Sequence, residues 1–130
     1  MSSSYISLLG LARRAGKVEI GDEASKSACS HGTAKILLIA QDASDRTREA
    51  FEFIAESAGV PHIPVTETRE ELGNALGKRP CAVVAICDTG FSAGIIKKLA
   101  AENEFAKAIL PTIEKKAARV LSRKKAKSKK

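Results

Sequence analysis

Residues 35–42 read KILLIAQD, and this stretch decides the class of fold. Residues 36–40 form a continuous apolar run whose branched side chains favour a buried strand. A second apolar run of similar character occupies residues 81–87. Both runs are much shorter than the roughly 18 to 20 residues that span a bilayer. We therefore expect two strands at the centre of a sheet.

Segments with helical spacing alternate with these strands. Helices are predicted from residue 5 to about 15, 22–30, 45–58, 69–76 and 91–101, with short strands at 17–20 and 62–65. Pro61 and Pro64 flank and interrupt the strand at 62–65, which favours an edge position. Alternating β and α segments predict an α/β fold, a three-layer α/β/α sandwich around a small mixed sheet.

Residues that begin and end helices mark the boundaries. Ser3 or Ser4 is suited to cap the first helix, and Ser44 is suited to cap the third. Thr68 is followed three residues later by Glu71, which is the spacing of a capping box. Glycines at positions 16, 59 and 77 follow the predicted helices and are typical of helix ends.

The charge is unevenly distributed. Residues 1–100 carry 12 basic and 12 acidic side chains, whereas residues 101–130 carry 10 basic and 3 acidic ones.

We predict a domain at 1–101, a helical extension at 102–122 in which Pro111 interrupts or begins the helix, and a disordered lysine-rich tail at 123–130. Such a tail favours binding to a phosphate backbone; a solubility tail or attraction to an anionic membrane remains an alternative.

The N-terminal segment and the cysteines indicate the cellular compartment. The charges at the N-terminus follow the apolar stretch, whereas a secretory signal carries them before it. Cys29, Cys81 and Cys87 form an odd set without a CxxC pair, so we expect reduced, buried thiols rather than a disulfide framework. Both features predict a cytoplasmic protein.

The weakness of catalytic and metal-binding patterns in the sequence predicts a protein that is not an enzyme and has no cofactor. His31 and His62 stand apart from other residues at metal-ligand spacing. Cys81 or Cys87 would need a neighbouring histidine base to act as a nucleophile, and His62 is the candidate. Acidic residues at 42 and 88 follow the two apolar strands, where two carboxylates can hold Mg²⁺ or can simply begin the next helices.

Several blocks of sequence carry a resemblance to one family. They are LLGLARRAGK at 8–17 followed by Gly21, HGTAKILLIAQD at 31–42, VP at 60–61, EELGNALG at 70–77 and AVVAI at 82–86. In this order they resemble the large-subunit ribosomal protein family of kink-turn RNA binders, in its bacterial YlxQ-like branch. The resemblance covers about residues 5–100.

The resemblance implies the same three-layer sandwich and binding to structured RNA, usually a kink-turn. It places the binding helix at residues 21–27 and a covering loop at 77–81. The RNA-binding residues that it implies, together with nearby cations, are Lys17, Gly21, Asp22, Glu23, Lys26, Ser27, Lys35, Lys78 and Arg79.

The binding helix departs from the family pattern. Members of the family carry Asn-Glu at the positions of Glu23 and Ala24, or Lys-Gln in some relatives, and lysine at the position of Ser27. Asp22 and Glu23 suit the N-terminus of a helix but repel phosphate. Ala24 has no side-chain group that can hydrogen-bond a base.

Three candidate functions follow from these observations. The leading one is a non-catalytic RNA-binding protein that associates with ribosomal RNA or the translation machinery, with a possible protein partner there. The alternative is a protein-interaction module in ribosome assembly or translation that has lost kink-turn recognition. A small enzyme or phosphotransfer receiver that uses Asp42 and Asp88 is the third candidate.

Overall fold

The computed structural model describes residues 5–128, and the side chains of residues 5–123 within them. Six helices and four strands follow one another along this part of the chain. They are α1 (Tyr5–Arg14), β1 (Val18–Ile20), α2 (Asp22–Ser30), β2 (Ile36–Ile39), α3 (Asp45–Ala58), β3 (His62–Pro64), α4 (Arg69–Leu76), β4 (Val83–Ile86), α5 (Thr89–Leu99) and α6 (Glu104–Ser128).

The four strands form one mixed sheet in the order β1-β4-β2-β3. β4 is antiparallel to both β1 and β2, and β2 is parallel to β3. Every residue of β2 and β4 is buried, as their apolar runs predict. The edge position predicted for the strand with Pro61 and Pro64 is confirmed.

Helices cover both faces of the sheet. α1, α4, α5 and α6 share one core with alternate side chains of the sheet, and α2 and α3 share the other. Leu37 and Ile39 face the core of α2 and α3, whereas Ile36 and Leu38 face the opposite core. This alternation is the period of two that a strand imposes, and it confirms the three-layer α/β/α sandwich.

The predicted helix boundaries agree closely with the structure. Ser44 Oγ accepts a hydrogen bond from the backbone N–H of Thr47 at 3.1 Å. The capping box of Thr68 and Glu71 has both of its hydrogen bonds, at 2.9 and 3.2 Å. The cap predicted at Ser3 or Ser4 lies outside the described residues.

α6 differs most from the prediction. The helix passes through Pro111, so the prediction that this proline interrupts or begins a helix is wrong. Ala106 and Ile113, on either side of Pro111, are buried against the core and hold the two parts of the helix together. Their burial outweighs the single backbone hydrogen bond that a proline removes.

The helix also extends further than expected. It continues to Ser128, the last described residue, although the sequence predicts an extension to residue 122 and a disordered tail from residue 123. Lysine, arginine and alanine are strong helix formers, which accounts for the continuation. Among the described residues, α6 and the other helices lack an apolar stretch long enough to cross a membrane.

Candidate nucleic-acid interface

The interface is built around the start of α2. Gly21 precedes the helix with a φ of 94°, a conformation that a side chain rarely adopts. Its backbone N–H donates to the carbonyl of Val83 at 3.0 Å, which ties the start of α2 to the start of β4. Gly21 lacks a side chain to cap the helix, so the first turn of α2 keeps free N–H groups.

A rigid loop lies next to this helix start. Residues 77–81 leave α4 through Gly77, whose φ is 65°. The backbone N–H of Lys78 donates to Gly73 at 2.8 Å, and that of Cys81 donates to Arg69 at 3.1 Å. These two bonds hold the loop against α4, so Lys78 projects from a fixed backbone.

The helix start and the loop meet, as the family resemblance implies. Burial raises the pKa of the Cys81 thiol, and the nearby Asp22 carboxylate raises it further. Ala24 and Lys78 line the same cleft, whose volume is about 540 Å³. Two segments that are more than fifty residues apart in sequence therefore form one surface.

Arg13 and Arg14 also line this cleft, although neither is among the site residues predicted from the sequence. They stand in the last turn of α1, beside β1. The motif at 8–17 contains both arginines, but only the fold brings the end of α1 close to Lys78. Together the three cations give one side of the cleft a positive charge, opposed by Glu19.

Other predicted residues of α2 are not among those that line the cleft. Lys26 lines a separate groove between α2 and α3. Ser27 is exposed, and its Oγ lies 3.2 Å from His31 Nδ1. Asp22 and Glu23 are exposed in the first turn, where the free N–H groups favour their charge.

Lys17 and Lys35 lie at the end of the sheet that is away from the start of α2. The carbonyl of Lys17 accepts from the N–H of Cys87 at 2.7 Å, and the N–H of Lys35 donates to Ile86 at 2.8 Å. Gly21 instead bonds to Val83, at the other end of β4. At about 3.3 Å per residue, a strand separates these lysines from the start of α2 by roughly 10 Å.

The two aspartates proposed for Mg²⁺ are held apart by the sheet. Asp42 follows β2 and Asp88 follows β4, and these strands are antiparallel, so the two residues lie at opposite ends. Asp88 caps α5 by accepting from Phe91 at 2.8 Å. The backbone N–H of Arg69 donates to Asp42 at 2.7 Å and is the main cause that lowers the pKa of that carboxyl. The alternative prediction, that each aspartate begins the next helix, is confirmed for Asp88, whereas Asp42 accepts from the start of α4 and not from α3, the helix that follows it.

The arrangement for a cysteine nucleophile is also lacking in the described part of the chain. His62 lies on β3, and its Nε2 is 3.2 Å from Glu56 Oε2 of α3. β2 separates β3 from β4, which Cys81 and Cys87 flank. Burial raises the pKa of both thiols, which keeps them protonated. No group of three or more metal-ligating side chains occurs among the described residues.

Comparisons with known proteins agree with this geometry. The profile of the ribosomal protein L7Ae/L30e/S12e/Gadd45 family matches residues 4–96. The RNA-binding protein YlxQ of Bacillus subtilis is 36% identical over 95 residues, which are 73% of this chain and 94% of that protein. The large ribosomal subunit protein eL30 of Pyrobaculum neutrophilum is 38% identical over 78 residues, 60% of this chain and 76% of its own length.

Solved structures give the same result for the fold. A protein of unknown function from Bacillus halodurans superposes with a TM-score of 0.71 at 30% identity, covering 75% of this chain and 98% of its own. The superposition leaves a quarter of this chain unmatched.

Proposed function

The chain belongs to the ribosomal protein L7Ae/L30e/S12e/Gadd45 family, and from this membership we propose that it is a non-catalytic protein that binds structured RNA of the ribosome or the translation machinery. Its relatives are named as an RNA-binding protein and as proteins of the large ribosomal subunit. We propose a kink-turn as the RNA, because this bent helix is the usual ligand of the family. A cytoplasmic location follows from association with ribosomes.

One observation carries the proposal: the start of α2, the loop at 77–81 and the end of α1 form a single cleft with cations on its rim. Free N–H groups at a helix start bind phosphate oxygens. RNA-binding proteins recognise distorted sites, where unstacked bases are accessible to the protein. Arg13, Arg14 and Lys78 supply the charge that attracts the RNA backbone.

A second candidate function, a protein-interaction module, is favoured by the composition of α2. Asp22 and Glu23 are exposed beside the cleft and repel phosphate. Ala24 lines the cleft where a base-reading side chain is needed. A chain that kept the fold and lost the base contacts would bind RNA without regard to its shape.

The experiment compares the affinity of the full chain for a kink-turn RNA and for a plain duplex of the same length. We expect tighter binding to the kink-turn, and a loss of roughly 3- to 30-fold in the double variant Arg14→Ala/Lys78→Ala. Arg46→Ala removes an exposed charge from α3 and serves as the control. Equal affinity for both RNAs would favour the interaction module instead.

The full chain is required for this comparison. Ala106 and Ile113 of α6 are buried in the core together with α1, α4 and α5. A version that ended at residue 101 would remove them and expose the apolar face of α5. Single substitutions at exposed positions avoid this loss.

A further inference from the structure

α6 is more than twice as long as α5, the helix on which it packs. α5 has 11 residues and α6 has 25, which correspond to about 16 and 37 Å at 1.5 Å per residue. The two are joined by residues 100–103 and pack against each other, so they run in opposite directions. The second half of α6 therefore continues past the start of α5.

The burial along α6 agrees with this geometry. Ile113 is 3% exposed, and it is the last buried residue among the described side chains of the helix. Ala117 and Val120 are only half-buried, and Leu121 is 55% exposed. We call residues 114–128, which lie beyond this last core contact, the arm.

The arm carries a basic stripe. Lys115, Arg119 and Arg123 are exposed and follow one another at intervals of four residues, with Lys116 beside them. At 100° per residue these four side chains fall within about 100° of the helix circumference. Glu114 is the acidic residue of the arm. The stripe faces away from the side that Ile113 and Ala117 turn towards α5.

The end of the sheet past which the arm continues carries a further cation. α5 begins directly after β4, so the start of α5 lies near the end of the sheet where Lys35 bonds to Ile86. The cleft at α2 begins at the other end, where Gly21 bonds to Val83, and extends along β1 to Val18, which pairs with Ile86. The arm contributes none of the residues that line the cleft, so its cations form a separate set.

The distribution of apolar residues argues against a membrane as the ligand. A helix that lies on a membrane needs a broad apolar face. The exposed large apolar residues of α6 are Phe105 and Leu121. They are 16 residues apart and about 160° apart around the helix, so they do not form a common face.

We propose that the arm is a second RNA-binding element, which lies along the phosphate backbone of a duplex that flanks the site bound in the cleft. This proposal rests on the proposed function, because it takes the RNA in the cleft as given. The stripe offers phosphates a row of cations without base-reading groups. It therefore adds affinity that depends on salt and on duplex length, but not on sequence.

The test uses kink-turn RNAs whose flanking duplexes are either short or long enough to reach the arm, about 5 and about 15 base pairs. The full chain should bind the long form about tenfold more tightly at low salt. The triple variant Lys115→Ala/Arg119→Ala/Arg123→Ala should lose this gain. Its binding to the long form should also show a salt slope that is smaller by about 3. Alanine keeps the helix, which circular dichroism verifies.

A matched control removes the same charge from the opposite end of the α5–α6 pair. Lys97, Lys98 and Lys107 are exposed, and their triple alanine variant should keep the gain from the longer duplex. Equal losses in the two triple variants would overturn the proposal in favour of a general charge effect. Indifference to duplex length in the full chain would overturn it as well, as would tighter binding of the arm to anionic vesicles than to duplex RNA.

The outcomes also separate this proposal from the proposed function. If the full chain prefers the kink-turn but duplex length has no effect, the cleft reads RNA and the arm does not. If the kink-turn is not preferred over a plain duplex, and the arm variant alone loses affinity for the long duplex, the arm binds RNA and the function proposed for the cleft fails.

Discussion

The carbonyl oxygen of Arg79 lies 2.5 Å from the point that a Cβ atom on Gly73 would occupy. Real Cβ atoms do not approach backbone this closely, so the loop at 77–81 packs on α4 only because residue 73 is glycine. The two backbone bonds from the loop to α4 depend on the same close approach. A single residue within a helix thus sets the position of a loop in the candidate interface.

Replacing Gly73 by alanine should move the loop and reduce RNA binding. Overpacking of this kind costs about 1–3 kcal/mol, and urea unfolding measures it. Gly10→Ala is the matched control, because its Cβ would meet the nearest atom, the carbonyl of Ala75, at 3.8 Å. The control should gain up to about 1 kcal/mol from helix propensity. Unchanged stability and RNA affinity in Gly73→Ala would contradict the argument.

Stability should fall in alkali because of Tyr5. This buried side chain donates to Glu67 Oε1 at 2.5 Å, and burial, followed by this hydrogen bond, raises the pKa of Tyr5 strongly. An unfolded tyrosine has a pKa of about 10. The contribution of Tyr5 is therefore complete below about pH 10 and declines above it, by up to about 1.4 kcal/mol per pH unit.

This prediction is simple to measure, because the chain contains one tyrosine and no tryptophan. Tyrosinate absorbance reports on Tyr5 alone and should rise only as the protein unfolds. Tyr5→Phe should lose about 1–3 kcal/mol at neutral pH and should show a smaller decline in alkali. Ionisation of Tyr5 in the folded protein near pH 10 would show that the side chain is not held as described.

The carboxyl of Asp42 should titrate below its ordinary pKa of about 3.9. The backbone N–H of Arg69 is the largest cause of the lowered pKa, and the charge of Arg69 is a smaller one. Its contribution to stability is present above the ordinary pKa and is lost as the pH falls through the lowered value. Carbon NMR of the carboxyl group measures the midpoint directly.

The variant Arg69→Ala separates the two causes, because it keeps the backbone donor. The pKa of Asp42 should remain below the ordinary value in this variant, although less far below. A complete return to the ordinary value would mean that the guanidinium, at 3.6 Å, is the main cause.

Pro111→Ala should stabilise α6. The substitution restores the N–H that proline lacks at an exposed position within the helix, and the gain is up to about 3 kcal/mol. Thermal unfolding and the helical signal in circular dichroism measure it. The neighbouring exposed variant Thr112→Ala should stay within about 0.5 kcal/mol of the original chain. Equal effects of the two substitutions would rule out a cost specific to proline.

Local signals in the sequence were sufficient for most of the architecture. The apolar runs gave β2 and β4, and the caps at Ser44 and Thr68 gave the starts of α3 and α4 at the correct residues. These features work over a few neighbouring residues, so sequence spacing reveals them. The effect of Pro111 was predicted wrongly, because it is outweighed by the burial of Ala106 and Ile113 in the shared core, which local spacing does not reveal.

The sequence predicted the candidate interface only in part. The motifs placed the start of α2 and the loop at 77–81 in one site, and the structure brings them together. It places Lys17 and Lys35 at the end of the sheet away from the start of α2 and outside the lining of the cleft, and it adds Arg13 and Arg14 to that lining. The direction of each strand decides at which end of the sheet a residue lies, and strand direction is not written in local composition.

The sequence by itself determined the family, the helices and strands before α6, and the zero net charge of residues 1–100 against the basic C-terminus, because motif order, periodicity and charge are properties of the chain. The tertiary structure alone decided that Asp42 and Asp88 lie at opposite ends of the sheet. It also decided that Arg13 and Arg14 line the cleft and that α6 extends beyond the start of α5. Each of these depends on how β2, β4 and the helices pair across long separations, where burial of apolar surface, rather than local preference, selects the arrangement.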